Sequence, residues 1–321
     1  MRRVHAQMNE PRPKFSLVVA TIGRTTQLVR LFETLSAQTF QSFEVIVADQ
    51  NPPGYLAGVL ARFQAFFPIR HLQSEPGLSR ARNAALDHIR GEFVAFPDDD
   101  CWYPEDLLEC VANGLTAHPD WDGLTGMPSD PSDPDGFRGF HRTSGELSLA
   151  NLWRRSTSVT IFLRRNVVEI VGRFDEDLGR GAWTGMTSAE ESEYLIRALL
   201  LGCHIFYSPD MRVFHRAWRS NEETLVGRAF GDLKALGYVL RKYGFPLRLL
   251  LHRLTRMLGG MAWFSMHGNQ RRARFYRLAF QGLLVGWLSF QHPRTDAVQE
   301  SLAGYSRWKR FRFRPRMDSG A

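Results

Sequence analysis

Three consecutive aspartates, Asp98–Asp100, close the apolar run Phe93-Val94-Ala95-Phe96, with Pro97 between. The run reads as a short buried strand that follows a helix closing at Gly91. A strand interior does not tolerate three adjacent ionised carboxylates, because burying unpaired charge costs on the order of several kcal/mol or more. They therefore belong at the strand's C-terminal edge, where open α/β sheets bind ligands. Two carboxylates one residue apart on such an edge suit a hard divalent cation that carries a phosphate ester. The bland alternative is a solvated acidic turn that caps the helix after Pro104. The cation reading points toward a nucleotide-activated substrate.

The flanking pattern supplies the sheet. Phe15–Ala20 (FSLVVA) is a first strand, followed by the loop Thr21-Ile22-Gly23-Arg24. Leu28, Leu31, Phe32 and Leu35 then recur at i, i+3, i+4, i+7, the spacing of one helix face. Phe43–Ala48 (FEVIVA) is a second strand ending at the turn Asp49-Gln50-Asn51-Pro52-Pro53-Gly54. A helix to about Phe67 and a strand over Ile69–Leu72 follow. Gly77–Asn83 opens another helix, with Ser79 as its expected N-cap. Strand–helix alternation of this kind predicts an α/β fold with a doubly wound, mostly parallel sheet and right-handed crossovers. Further on, a helix runs from Pro104 to about Ala117, and Pro128–Gly136 reads as a loop. Ser158–Leu163 is a strand, and the Gly-rich stretch Gly179–Ser188 leads into a helix over Ala189–Leu201. Ile205–Tyr207 and Arg212–Phe214 read as two short strands before His215.

Charge divides the chain. Residues 241–321 hold 16 Lys/Arg against 3 Asp/Glu, whereas the first 240 hold 25 against 30. The pattern from Ser220 onward is helical, with Arg interleaved among Leu, Phe, Trp and Tyr. Its uncharged stretches fall short of the roughly 18–20 apolar residues that span a bilayer. The expected division is a polar lead-in over 1–13 read as disordered, a catalytic domain over 14–219 and a basic amphipathic helical extension over 220–321. That extension suits an interfacial hairpin on the anionic cytoplasmic leaflet or, equally, a lid packed on the core. Basic helices also suit nucleic acid, but no nucleic-acid motif and no basic stripe on the body accompany them. Cys101, Cys110 and Cys203 have neither metal-type spacing nor an even count for disulfides, which indicates a reducing, cytoplasmic setting.

Individual residues carry sharper expectations. Asp49, on the same sheet edge as Asp98, suits a nucleotide base N–H, or simply forms the turn before Pro52. Thr21 and Arg24 suit the base or ribose. Arg80 and Arg82, at the start of their helix, suit phosphates, with plain helix solvation as the alternative. Glu190 and Glu191 suit a general base that takes an acceptor proton, although acids complementing a helix dipole explain them as well. His215 suits a place in a carboxylate-rich divalent site, or is a capped strand-end histidine.

Taken in order, these residues resemble the family 2 glycosyltransferases of the GT-A fold, which use nucleotide-diphosphate sugars. The elements that carry the resemblance are Ser16–Thr21, Glu44–Asp49, Gly77–Ala85 with Asn83, Phe96–Asp100 with Pro104, Gly172–Glu176, and Glu190-Glu191 with Arg197. They cover about two-thirds of the chain. The resemblance implies that Asp49 binds the base, that Asp98–Asp100 contain the DxD element, and that Asp98 and Asp100 contact Mg²⁺ or Mn²⁺ with His215 as a further ligand. It implies that Asn83, Asp98 and Asp99 touch the donor, that Glu191 is the base with Glu190 its rival, and that transfer proceeds with inversion. The acceptor it implies is a saccharide or a lipid-linked glycan in polysaccharide or glycolipid assembly. Three departures stand out: Gln-Asn-Pro-Pro-Gly after Asp49 in place of Asp-Gly-Ser, a third aspartate after Pro97, and Glu-Glu in place of Glu-Asp. A sugar-1-phosphate nucleotidyltransferase would open with a denser Gly-rich loop than Thr21–Arg24, and a catalytically degenerate membrane scaffold would not retain these acids.

Overall fold

The computed structural model describes residues 12–133, 137–216 and 222–290. The expected lead-in before Arg12 and the basic tail after Phe290 lie outside them. Within the first hundred residues the chain alternates as β1 (Phe15–Thr21), α1 (Thr25–Ser36), β2 (Phe43–Asp49), α2 (Ala57–Phe63), β3 (Ile69–Gln73), α3 (Leu78–Leu86) and β4 (Phe93–Ala95). The four strands are parallel in the order β3-β2-β1-β4. β1 and β2 are buried on both faces, which is why they read as near-continuous apolar runs. Leu17 and Val19 face α1 and α2, while Val18 faces α3 and the later helices, so alternate residues feed two cores.

The second half is mixed. It runs β5 (Cys101–Trp102), α4 (Leu107–Ala117), β6 (Gly123–Ser129), β7 (Gly145–Glu146), β8 (Ile161–Arg164), α5 (Arg165–Val171), α6 (Glu190–Leu200) and β9 (Ile205–His215). The sheet continues β4-β8-β6-β9-β5, with β8 antiparallel to both neighbours, β6 parallel to β9, and β5 and β7 antiparallel to β9.

Several sequence expectations need correction here. β6 runs on through Pro128 and Ser129, the first two residues of the stretch Pro128–Gly136 that reads as a loop. Its glycines are dictated by packing: a Cβ at Gly123 would strike Phe162 O and one at Gly126 would strike Met211 O. The two short strands expected around Pro209 are one strand, β9, whose register against β6 shifts between Gly126 and Met127. Proline lacks an N–H, so the ladder breaks there without ending the strand. Residues 158–160 form a 3₁₀ turn before β8 begins at Ile161. Gly77, not Ser79, stands at the N-terminal cap of α3; Ser79 lies inside the helix and donates to Leu178 O.

Three helices complete the described chain: α7 (Glu222–Lys242), α8 (Leu247–Met266) and α9 (Gln270–Ser289). Ala235 and Val239 of α7 belong to the same buried cluster as Leu195 and Ile196 of α6. Lys242 reaches Asp175 at 2.7 Å and Glu193 at 2.9 Å, and the Tyr243 hydroxyl also donates to Glu193. α7 is thus fastened to the sheet domain, and α8 and α9 pack on it through Leu240, Leu250 and Leu283.

Candidate active site

The C-terminal edge of the parallel strands delivers Thr21, Asp49 and, three residues beyond β4, Asp98. The short pairing of β5 with β9 then does something the sequence pattern did not reveal. Its register sets Cys101 opposite His215, which places the imidazole beside Asp100. His215 Nε2 lies 3.1 Å from Asp100 Oδ1. One ligand atom from each of Asp98, Asp100 and His215 falls within 4.8 Å of the others.

That donor set fits a divalent cation. Two carboxylates and an imidazole match Mn²⁺ well, and carboxylates match Mg²⁺. Adjacent ligands of an octahedral ion held at about 2.1 Å are about 3 Å apart, close to the separation of the His215 and Asp100 atoms. Burial would raise the Asp100 carboxyl, but the hydrogen bond and charge of His215, followed by Arg24, outweigh it and hold it down at about 2. Asp99 behaves differently. It is buried, accepts from Thr21 Oγ1 at 2.7 Å and pairs with Arg24 at 2.8 Å, and burial pushes its carboxyl up to about 6 despite these partners. The middle aspartate therefore braces Thr21 and Arg24 while its neighbours face the cavity cluster.

Arg82 connects this cluster to the acid pair. It is 1% exposed and donates to Asp98 Oδ1 at 2.9 Å and to Glu190 Oε1 at 3.1 Å. Glu190 is buried at the first position of α6. Glu191 has no ion pair among the described residues, and burial followed by the charge of Glu190 raises its pKa. Glu193, two residues on, points away to Arg197 and Lys242. The residue before α6, Ala189, holds φ 69°, the one positive φ of a non-glycine among the described residues. Gly179, with φ 96°, passes so close that a Cβ would sit 3.3 Å from Glu190 Oε2.

Two connected spaces meet at these groups. A cavity of ≈ 530 Å³ is lined by Ala20, Arg24, Gln50, Gly77, Asp98–Asp100, Arg180, His215 and Arg228 among others, a size ordinary for small-molecule sites. A recess of ≈ 90 Å³ shares Asp98, Arg180, His215 and Arg228 with it and adds Ser158, Glu190 and Glu191.

Other residues singled out from sequence sit differently. Asp49 is fully buried and both its oxygens are engaged: Oδ1 accepts from Asn51 N and Nδ2, and Oδ2 lies 2.9 Å from His71 Nε2. Its neighbour Gln50 lines the cavity instead. Arg80 donates to Pro76 O and stacks on Trp183 at 4.1 Å, outside the cavity lining. Asn83 staples α3 to the 174–176 segment through Phe174 and Glu176. Arg180 and Arg228 were missed by sequence reasoning. One lies in a glycine-rich loop and the other on the basic extension, so neither has a local signature.

Known proteins are similar to this chain in sequence and in fold. The model of glycosyl transferase family 2 matches residues 16–157. The chain is 34% identical over 102 residues to the putative glycosyltransferase EpsH of Bacillus subtilis, covering 30% of this chain and 29% of EpsH. It is 31% identical over 94 residues to the GalNAc(5)-diNAcBac-PP-undecaprenol beta-1,3-glucosyltransferase of Campylobacter jejuni, covering 27% of this chain and 30% of that protein. The match thus spans about three-tenths of the length of these curated relatives. In three dimensions it is similar to TarS of S. aureus, with TM-score 0.57, 18% identity, and coverage of 81% of this chain and 54% of TarS. It is also similar to the mannosyltransferase PcManGT from Pyrobaculum calidifontis, solved with GDP-Man and Mn²⁺, with TM-score 0.56, 17% identity, and coverage of 94% and 84%. At such identities the structural likeness speaks for the fold, which is GT-A, and the sequence match speaks for the family. Over residues 16–157, somewhat under half of its length, the chain is similar to glycosyl transferase family 2.

Proposed function

We propose that the protein transfers a glycosyl group from a nucleoside-diphosphate sugar to a hydroxyl of a saccharide or lipid-linked acceptor, with inversion at the anomeric carbon. The observation that carries this reading is the convergence of the Asp98/Asp100/His215 cluster and the Glu190/Glu191 pair on adjoining spaces, bridged by Arg82. Mg²⁺ or Mn²⁺ held by Asp98, Asp100 and His215 would supply Lewis-acid neutralisation of the departing diphosphate. The protein's own groups do the rest. Arg82 fixes Asp98 and Glu190 relative to each other. Glu190 is engaged by that guanidinium, which leaves Glu191 to accept the proton of the attacking hydroxyl. A raised pKa brings a carboxylate base closer to neutrality and strengthens it. The acceptor oxygen bonds to C1 as the C1–O bond to the diphosphate breaks, and the proton goes to Glu191.

The acceptor class draws support from the Campylobacter relative, whose name specifies an undecaprenol-linked glycan. The donor class draws support from the GDP-Man and Mn²⁺ of the PcManGT complex. A lipid-linked acceptor also accords with α8 and α9. They carry seven arginines and no Asp or Glu between residues 247 and 290, and they expose Leu247, Leu251, Leu258, Trp263 and Met266. No helix among the described residues is long and apolar enough to cross a membrane. We therefore read the extension as a peripheral contact with an anionic membrane, on the cytoplasmic face.

The test is a panel of nucleotide sugars incubated with the protein and Mn²⁺ or Mg²⁺, followed by release of nucleoside diphosphate. Release with at least one donor, lost on chelation and restored by metal, is expected. Metal-independent release, or none with any donor, would overturn the reading.

A further inference from the structure

Four arginines line the large cavity alongside the aspartates, Arg24, Arg180, Arg216 and Arg228, and of these Arg216 does not reach the recess. Arg24 is neutralised by Asp99 and Asp100 at 2.8 and 2.6 Å. Arg228 lies 3.4 Å from Asp232, one turn along α7. Arg180 makes no ion pair with any described carboxylate, yet it lines both the cavity and the recess that holds Glu190 and Glu191. A guanidinium beside three others, without a carboxylate of its own, is an arrangement that calls for an anion. Partial burial and then the charge of Arg228 lower the Arg180 pKa.

The backbone around Arg180 is held in place. Its carbonyl accepts from Leu78 N at 2.8 Å, tying it to the start of α3. Gly179 and Gly181 on either side have φ of 96° and 79°, and a Cβ at Gly181 would sit 3.2 Å from Gly77 Cα. α7 secures the rest of the loop: Thr187 Oγ1 donates to Asp232 at 2.7 Å and Lys234 Nζ donates to Thr184 O at 2.6 Å. Meanwhile the arginines that the sequence singled out for phosphates are committed elsewhere, Arg82 to Asp98 and Glu190, Arg80 to Pro76 O and Trp183.

We propose that Arg180 binds the diphosphate of the donor, acting with the cation cluster from a loop that the C-terminal helix α7 holds in place. This rests on the donor-site reading above and extends it to a residue outside the matched segment, so that the helical extension becomes part of the catalytic unit. An arginine fork suits phosphate oxygens better than a point charge does, and charge-assisted hydrogen bonds are the stronger kind.

The full chain is titrated calorimetrically, with Mn²⁺ present, against UDP, GDP, ADP, CDP and dTDP and against the corresponding nucleosides. Whichever diphosphate binds the wild type is expected to bind Arg180→Ala roughly tenfold to a hundredfold more weakly. Arg180→Lys should fall between them, and the matching nucleoside should change by less than about twofold. Arg180 is exposed, so the unliganded variants should melt as the wild type does; Arg180→Gln replaces the alanine variant if that one melts lower. Equal diphosphate affinity in wild type and variant overturns the assignment and leaves the donor reading standing. An equal loss for the nucleoside also overturns it. Wild type that binds none of the diphosphates overturns the donor reading and this inference together.

Discussion

Arg82 places a single buried guanidinium between a cluster carboxylate and the first acid of α6, so one residue sets the spacing of the two halves of the site. Glu191 lies just beyond that bridge with no cation of its own. Burial first, and the Glu190 charge second, raise its pKa in the folded protein. The folded chain thus holds this proton more tightly than the unfolded chain. The resulting stabilisation is fully present below the ordinary glutamate pKa and is lost as pH rises through the raised folded value. Glu191→Gln cannot ionise, so it is expected to melt above wild type at about pH 8, with the gap closing toward about pH 4. The same variant should lose roughly a hundredfold or more in turnover. Thermal melts across that range and initial rates check both. A gap that does not change with pH would rule out a half-buried Glu191 that ionises with a raised pKa, and a rate within about tenfold of wild type would rule out its role as the base.

α6 begins under strain, and the strain sits where the acids are presented. Ala189 at φ 69° pays the left-handed penalty of an L-residue, about 1–2 kcal/mol. Glycine relieves that penalty but returns part of it through a freer unfolded chain. Ala189→Gly is therefore expected to be neutral or stabilising by up to about 1 kcal/mol, and Ala189→Val to destabilise by about 2 kcal/mol or more. Urea unfolding measures both; a glycine variant less stable by more than about 1 kcal/mol would mean that the packing of the buried methyl outweighs the strain. At the same scale, β5 is two residues long and carries no strand pattern of its own. It exists because β9 offers an edge beside it, yet it is what brings His215 to Asp100.

Across the whole molecule, charge and packing separate the two ends of the extension. α7 is held by Asp175, Glu193 and the core. α8 and α9 leave arginines and large apolar side chains on the outside. If this face meets an anionic bilayer, the protein should float with vesicles containing anionic phosphatidylglycerol at low salt and should not float with purely zwitterionic vesicles. Binding should weaken as salt shortens the screening length from about 30 Å at 0.01 M to about 8 Å at 0.15 M. Flotation indifferent to lipid charge, or none at low salt, would remove the membrane reading and leave the catalytic one untouched.

The sequence by itself determined the parallel half of the sheet, because β1, β2 and α1 have apolar periods long enough to name their own structure. It also determined that Asp98–Asp100 sit at a strand's C-terminal edge, since no other place in a sheet admits three carboxylates. The glycine-bearing β6, the bulged β9 and the tiny β5 were settled only by their neighbours, because close approach and edge pairing leave no periodic trace. The same holds for the site. Asp98, Asp100, Glu190 and Glu191 were visible as chemistry in search of a partner. The bridge made by Arg82, the engagement of both Asp49 oxygens and the arrival of Arg180 depend on contacts between residues distant along the chain. Those contacts exist only once the sheet, the glycine-rich loop and α7 have packed together.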